Sequence, residues 1–129
     1  MSKIDLASAF AAWIDVALSR PIPAEVRAFN FNLYEGVART WDMELIGTAS
    51  FDPTDGDWAC DSVFSHPELF FMSHDDVGDQ WEQGLAVAID LVATYLRGGR
   101  HRHMLRDSLG VGVGFVDGDL TILWPETAA

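Results

Sequence analysis

The most constraining feature of the sequence is a predicted β-hairpin near its end. Residues 111–116 and 119–124 are rich in β-branched and aromatic side chains, and only Asp117 and Gly118 separate them. A two-residue Asp-Gly connection is typical of a primed hairpin turn. Pairing across this turn predicts one apolar face made of Val111 with Trp124, Val113 with Ile122, and Phe115 with Leu120. The opposite face carries Gly112 and Gly114, so one of its strands has few protruding side chains.

The first third of the chain predicts a helix followed by another hairpin. Residues 4–18 have a helical stripe of apolar side chains, and Pro21 and Pro23 end it because proline cannot donate to a continuing helix. The stripe consists of Ile4, Leu6, Phe10, Trp13, Ile14, Ala17 and Leu18. Residues 26–35 and 41–48 then alternate between apolar and polar side chains, which is typical of strands with one buried face.

A second helix follows an irregular middle segment, residues 50–78, in which we expect only short helical or extended pieces. The pair Asp79 and Glu82 resembles a capping box at the start of this helix. Gly98-Gly99 is expected to end the helix, because glycine readily adopts the left-handed backbone conformation. The stripe of this helix consists of Trp81, Leu85, Ala88, Ile89, Val92 and Leu96.

The order helix, hairpin, long loop, helix, hairpin predicts an α+β fold. Two helices packed on one face of a mostly antiparallel four-stranded sheet would bury every apolar stripe. A length of 129 residues is near the commonest size of one domain, so residues 1–129 are predicted to form a single α+β domain. The order of the strands in the sheet is left open.

The charge of the chain favours some partners and disfavours others. It has 20 acidic and 8 basic residues, a net charge of −12, which repels nucleic acid and anionic membranes and attracts basic proteins. Residues 85–96, the most apolar stretch, are too few to span a bilayer and contain Asp90. A single cysteine, Cys60, fits a reducing compartment, so the cytoplasm is expected. The alternative interpretation is that the acidic residues only keep the protein soluble.

The acidic residues concentrate in the middle of the chain, where we predict a partner-binding surface. Between Trp41 and Leu96 there are 12 acidic residues and no basic one. The spacing that starts at Asp52 does not fit a helix-loop-helix Ca²⁺ loop, because Val63 would occupy position 12. We expect the carboxylates to steer a basic protein and one tryptophan to anchor it. The predicted partner-binding residues are Asp52, Asp55, Asp57, Trp58, Asp61, Asp75 and Asp76.

The sequence contains few signs of enzyme chemistry, so we assign no catalytic residue, metal site or cofactor. It has no HExxH or CxxC motif, and Cys60 is predicted to be a buried or half-buried, inert thiol beside Asp61. The alternative is a small enzyme or a metal- or ligand-binding domain that uses the region of His66, His74 and Asp75. The same alternative includes a basic connector that could bind an anion or a phosphate, although we expect it to pair with the acidic middle segment instead. The connector consists of Arg97, Arg100, Arg102 and Arg106 with His101 and His103. A third alternative is an assembly subunit that forms a homodimer through the Gly112 and Gly114 face or an edge strand.

Residues 41–47 (WDMELIG) and 51–60 (FDPTDGDWAC), in the middle third of the chain, are rich in tryptophan and aspartate. There the chain resembles small acidic immunity proteins of bacterial contact-dependent and polymorphic toxin systems. The resemblance implies a non-enzymatic inhibitor that plugs a cognate toxin, and no residue role is carried over with it. The leading hypothesis is therefore a cytoplasmic binding module with an acidic, tryptophan-containing surface for a basic partner.

Overall fold

The structure of the protein is a computed structural model that describes residues 3–126, with side chains from residue 5 onward. The elements in chain order are α1 (Lys3–Ser19), β1 (Ala28–Glu35), β2 (Thr40–Thr48), a 3-10 helix (Gly56–Cys60), β3 (Ser62–Ser65), β4 (Phe70–Ser73), α2 (His74–Val77), α3 (Trp81–Gly98), α4 (Arg102–Arg106), β5 (Val111–Phe115) and β6 (Thr121–Trp124). The α+β class, both long helices and both hairpins are confirmed. The side chain of Ile4, a predicted stripe residue, lies outside the described part.

The sheet is mixed and has six strands, so the predicted number of four is wrong. Its mostly antiparallel character is confirmed, because among residues 3–126 only β1 and β5 pair in parallel. The strand order is β3-β2-β1-β5-β6, and β4 pairs with β2 as well. Strand β5 lies parallel to β1, in a register that runs from Phe29 opposite Val111 to Leu33 opposite Phe115. The parallel pair forms because α3 carries the chain back across the sheet before β5 begins, and such a crossover is what a parallel pair requires. The two additional strands, β3 and β4, are the short extended pieces expected in the middle segment.

Helices α1 and α3 pack on one face of the sheet, where the core lies. Phe10 of α1 lies at its centre, with ring centroids 5.9 Å from Phe31, 5.4 Å from Phe70 and 6.4 Å from Tyr95. The Tyr95 hydroxyl donates to Asp15 Oδ1 at 2.7 Å, and burial together with this bond raises the pKa of Tyr95. The predicted stripes of both helices therefore meet the alternating apolar side chains of β1 and β2.

Both predicted ends of α3 are wrong in their chemistry. Gln80 is the N-cap and forms a reciprocal capping box with Gln83, whereas the carboxylate of Asp79 accepts from Arg39 at 2.7 Å. Gly99, the C-cap, has a φ of −66° and is extended, because the chain turns directly into α4. Trp81 belongs to the predicted buried stripe but is exposed, since it is the first residue of the helix and lies at the end of the sheet.

The C-terminal hairpin differs from the prediction in its register and its turn. The observed pairs are Val111 with Trp124, Gly112 with Ile122, and Val113 with Thr121. The register shifts between the first two pairs, which leaves Leu123 as an extra residue that packs against the core. Ile122 therefore lies on the other face of the sheet, opposite Gly112. Neither Asp117 nor Gly118 has a positive φ, so the turn is not of the primed type.

Candidate functional site

Trp58 packs on the second face of the sheet, so it is not a surface anchor in this structure. The acidic loop, defined here as residues 51–61, lies against this face, and Trp58 is only 4 % exposed. Its ring passes so close to β5 that a Cβ on Gly112 would lie 3.1 Å from Trp58 Cζ2. Phe51 meets Trp58 edge-on, with ring centroids 4.9 Å apart. The low-relief glycine face is therefore covered by the protein's own loop.

Two of the four predicted carboxylates in the acidic loop hold the loop together. Asp52 Oδ1 accepts from the backbone N–H of Thr54 at 2.9 Å and from its hydroxyl at 2.7 Å, which lowers the pKa of Asp52. Asp55 caps the 3-10 helix by accepting from the backbone N–H of Asp57 at 3.0 Å. The side chains of Asp57 and Asp61 are exposed. The loop therefore presents an acidic surface without an exposed tryptophan.

The other predicted carboxylates, Asp75 and Asp76, lie in α2, close to Arg39 just before β2. Arg39 has a φ of 56° and donates to Asp75 at 3.1 Å and to Asp79 at 2.7 Å. Hydrogen bonds and charge from these carboxylates raise the pKa of Arg39. Asp76 is exposed and also has an interaction of its own. This group is thus partly neutralised, unlike Asp57 and Asp61.

The structure separates the two histidines of the alternative site. The backbone N–H of His66 donates to Leu45 O, and that of His74 donates to Arg39 O, both at 2.9 Å. Leu45 lies in β2 and Arg39 directly precedes that strand, so the extended run from Thr40 to Leu45, about 17 Å long, separates the two acceptors. His66 is 1 % exposed, and its burial lowers its pKa. Among residues 3–126 no group of three or more histidine, cysteine or acidic side chains is arranged to hold a metal ion.

The basic connector, residues 97–106, does not pair with the acidic loop, so that prediction is wrong. Arg102 donates to the carbonyl of Gly99 at 3.0 Å, and the guanidinium of Arg106 lies 4.9 Å from the ring centroid of Trp124. Within the described part of the chain, no ion pair joins the connector to the loop. The reason is position: the connector leads into the start of β5, whereas Asp52 and Asp57 lie beside the turn after β5.

An aromatic cleft opens at the end of the sheet where β1 and β5 finish, and its volume is about 780 Å³. Trp41 is 2 % exposed and fixed by a 2.9 Å hydrogen bond from its Nε1 to Gly78 O. Phe115 meets Trp41 at 81° and Trp81 at 87°, with centroid distances of 5.8 and 6.1 Å. Trp81 is 54 % exposed, so one indole is held in the interior of the protein and the other faces solvent.

Three exposed carboxylates lie at this cleft: Glu35, Asp117 and Asp119. In the part of the chain that the structure describes, none of them takes part in a hydrogen bond or an ion pair. A second cleft of about 640 Å³ lies on the other side of the β5–β6 turn, and Asp52, Asp57 and Asp119 line it. We call the surface around both clefts the acidic end of the protein.

Cys60 also lines the second cleft and is exposed, so the prediction of a buried or half-buried thiol is wrong. It lies at the end of the 3-10 helix, where burial of Trp58 turns its neighbours outward. The sequence interpretation also missed Trp81, Phe115 and the two turn carboxylates as members of one site. The signal available was the position of Trp81 at the very start of its helix, as the first residue of the predicted stripe.

None of the helices within residues 3–126 is both long and apolar enough to cross a membrane. No family model, curated protein or solved structure matches the chain.

Proposed function

We propose that the protein is a non-enzymatic binding module that recognises a basic protein partner through its acidic end. The observation that carries this proposal is the aromatic cleft with three carboxylates, Glu35, Asp117 and Asp119, that form no ion pair within residues 3–126. Unpaired surface carboxylates beside an exposed tryptophan are suited to an interface in which charge speeds association and an aromatic ring supplies the contact.

The distribution of charge along the fold supports the same proposal. Arg39 is the only lysine or arginine between residues 28 and 96, and it is paired with Asp75 and Asp79. Arg27 precedes β1 and the basic connector precedes β5, so these cations lie at the opposite end of the parallel strands from the acidic end. A field with one negative end orients a basic partner during its approach and loses strength as salt is added.

The kind of partner follows from the resemblance to immunity proteins and belongs to the proposal. An immunity protein acts by occupying the surface of a toxin, and it needs no catalytic residue of its own. A toxin that cleaves nucleic acid or binds membranes carries a basic surface, which an acidic end of this kind would cover. The cytoplasm, where a single unpaired cysteine stays reduced, is the proposed compartment.

The test is capture of the partner from a lysate of the source organism, with elution by a salt gradient and identification by mass spectrometry. The test variant carries Glu35→Gln, Asp117→Asn and Asp119→Asn. The control variant carries the same loss of charge at exposed acidic residues away from both clefts: Glu25→Gln, Asp90→Asn and Asp107→Asn.

We expect the wild-type protein and the control variant to retain one basic protein that elutes as salt rises. Measured afterwards with the purified partner, the test variant should bind roughly 3- to 150-fold more weakly, because each exposed ion pair contributes about 0.2–1 kcal/mol. Equal binding by the two variants, or a partner whose binding does not depend on salt, would refute the proposal.

A further inference from the structure

We infer that the aromatic cleft receives the guanidinium group of one arginine side chain of the partner, stacked on Trp81 and held by the carboxylates of Asp117 and Asp119. This inference rests on the proposed function and names the group that the acidic end recognises. It moves the anchoring role from Trp58, which is 4 % exposed, to Trp81, which is 54 % exposed.

The rings of the cleft leave an aromatic face available to a cation. Phe115 stands nearly perpendicular to both indoles, at 81° to Trp41 and 87° to Trp81, so it is not stacked flat on either ring. His74 stacks on Trp41 with a centroid distance of 4.4 Å and an angle of 27°, which occupies one face of that ring. Trp81 has no ring partner besides Phe115 among residues 3–126. Tryptophan is also the aromatic side chain that attracts cations most strongly.

The carboxylates give the cleft a negative charge, and within residues 3–126 they form no ion pair. Asp117 and Asp119 lie in the turn that forms one wall, and Glu35 ends β1 beside it. The nearest arginine in sequence to Glu35, Arg39, is bound to Asp75 and Asp79. The positive end of α3 is close, but Glu82 in its first turn and the capping box of Gln80 offset that partial charge.

The shape of the cleft favours arginine over lysine. A guanidinium is flat, stacks on an indole and can donate two parallel hydrogen bonds to a carboxylate, whereas an ammonium is a compact and strongly hydrated charge. The volume of about 780 Å³ admits a long side chain together with part of its flanking backbone. Apolar rims complete the site, since Val116 is 55 % exposed at the cleft wall and can cover the methylene groups of the side chain.

The experiment titrates the full-length ¹⁵N-labelled protein with blocked tripeptides and follows the indole N–H signals by NMR. The probes are acetyl-Gly-Arg-Gly-amide, its lysine and citrulline counterparts, and free L-arginine. Citrulline has the shape of arginine without its charge. Trp81→Phe identifies the Trp81 signal by its disappearance.

We expect the arginine peptide to shift the Trp81 signal with the highest affinity of the four probes, in a manner that weakens with salt. Trp81→Ala should weaken binding about two- to fivefold, the size of an exposed cation–π contact. Asp117→Asn with Asp119→Asn should weaken it roughly two- to thirtyfold. Asp90→Asn, an exposed change on α3 outside the cleft, should leave the affinity unchanged.

Three results would overturn the inference. One is equal binding of the arginine and citrulline peptides, another is unchanged affinity in the Asp117 and Asp119 variant, and the third is tighter binding of free L-arginine than of the blocked peptide. The last result would reassign the cleft to a small molecule. Capture of a basic partner that does not depend on Trp81 would leave the proposed function standing without this site. Binding of the arginine peptide when no partner is captured would support the arginine site and count against the proposed function.

Discussion

Trp58 and Trp81 provide a matched pair of tryptophan-to-alanine substitutions, because the first is 4 % exposed and the second 54 %. Trp58 covers Gly112 of β5 and contacts Phe51, so its removal would open the second face of the sheet to water. Trp81 contacts Phe115 at the edge of an open cleft and is itself 54 % exposed, so its removal uncovers little buried surface.

The size of the first effect follows from the buried area. A buried aromatic side chain removes about 150–250 Å² from water, and at about 25 cal/mol per Å² this amounts to roughly 4–6 kcal/mol as an upper limit. Measured substitutions of buried aromatics by alanine cost about 3–5 kcal/mol. The acidic loop is irregular and can relax, which favours the lower end. We expect Trp58→Ala to lose about 3 kcal/mol and Trp81→Ala less than about 1.5 kcal/mol.

The assay is urea unfolding followed by far-UV circular dichroism, because tryptophan fluorescence would change with the substitution itself. A loss of about 3 kcal/mol should also lower the melting temperature by roughly 9–15 °C for a domain of this size. A loss below about 1 kcal/mol for Trp58→Ala, or a larger loss for Trp81→Ala, would refute the assignment of a packing role to Trp58 and of a surface role to Trp81.

Two further predictions concern packing and pH. Gly84→Ala should destabilise the fold by about 1–3 kcal/mol in urea unfolding, because its Cβ would lie 2.9 Å from Cγ of the buried Trp41, whereas Gly98→Ala, with no atom within 4 Å, should not. A loss at both glycines, or at neither, would contradict this. Burial lowers the pKa of His66 below its ordinary 6.5, so the unfolded chain binds a proton more readily and stability should fall as pH drops below 6.5. His66→Phe should flatten this dependence when urea midpoints are compared across pH, and the exposed control His103→Gln should not; an unchanged slope in His66→Phe would show that other groups cause it.

Local periodicity was enough to predict the helices and the first hairpin. The stripe ending before Pro21 and the alternation in β1 and β2 depend on neighbours along the chain, and the observed bounds differ from the predicted ones by a few residues at most. The distribution of charge along the chain is likewise a property of the sequence. These features survive folding because each is set within one helix, one strand or one loop.

The partners of each strand were decided by the tertiary structure. Side-chain alternation says which face of a strand is buried but not which strand lies beside it. The parallel pairing of β1 with β5 needs the crossover through α3, and a single extra residue, Leu123, moved Ile122 to the other face of the sheet. A pattern of period two cannot reveal such a bulge in advance.

The exposure of each tryptophan was also decided only by the fold. Composition and local charge indicated Trp58 as an anchor, yet the close approach of Gly112 lets its ring bury against the sheet. The acidic end brings together Glu35, Trp81 and Asp117, which come from three separate parts of the sequence. The sequence alone determined that the chain carries excess negative charge and aromatic rings, because those are properties of composition. Where the two coincide is a property of strand order, and strand order depends on long-range packing.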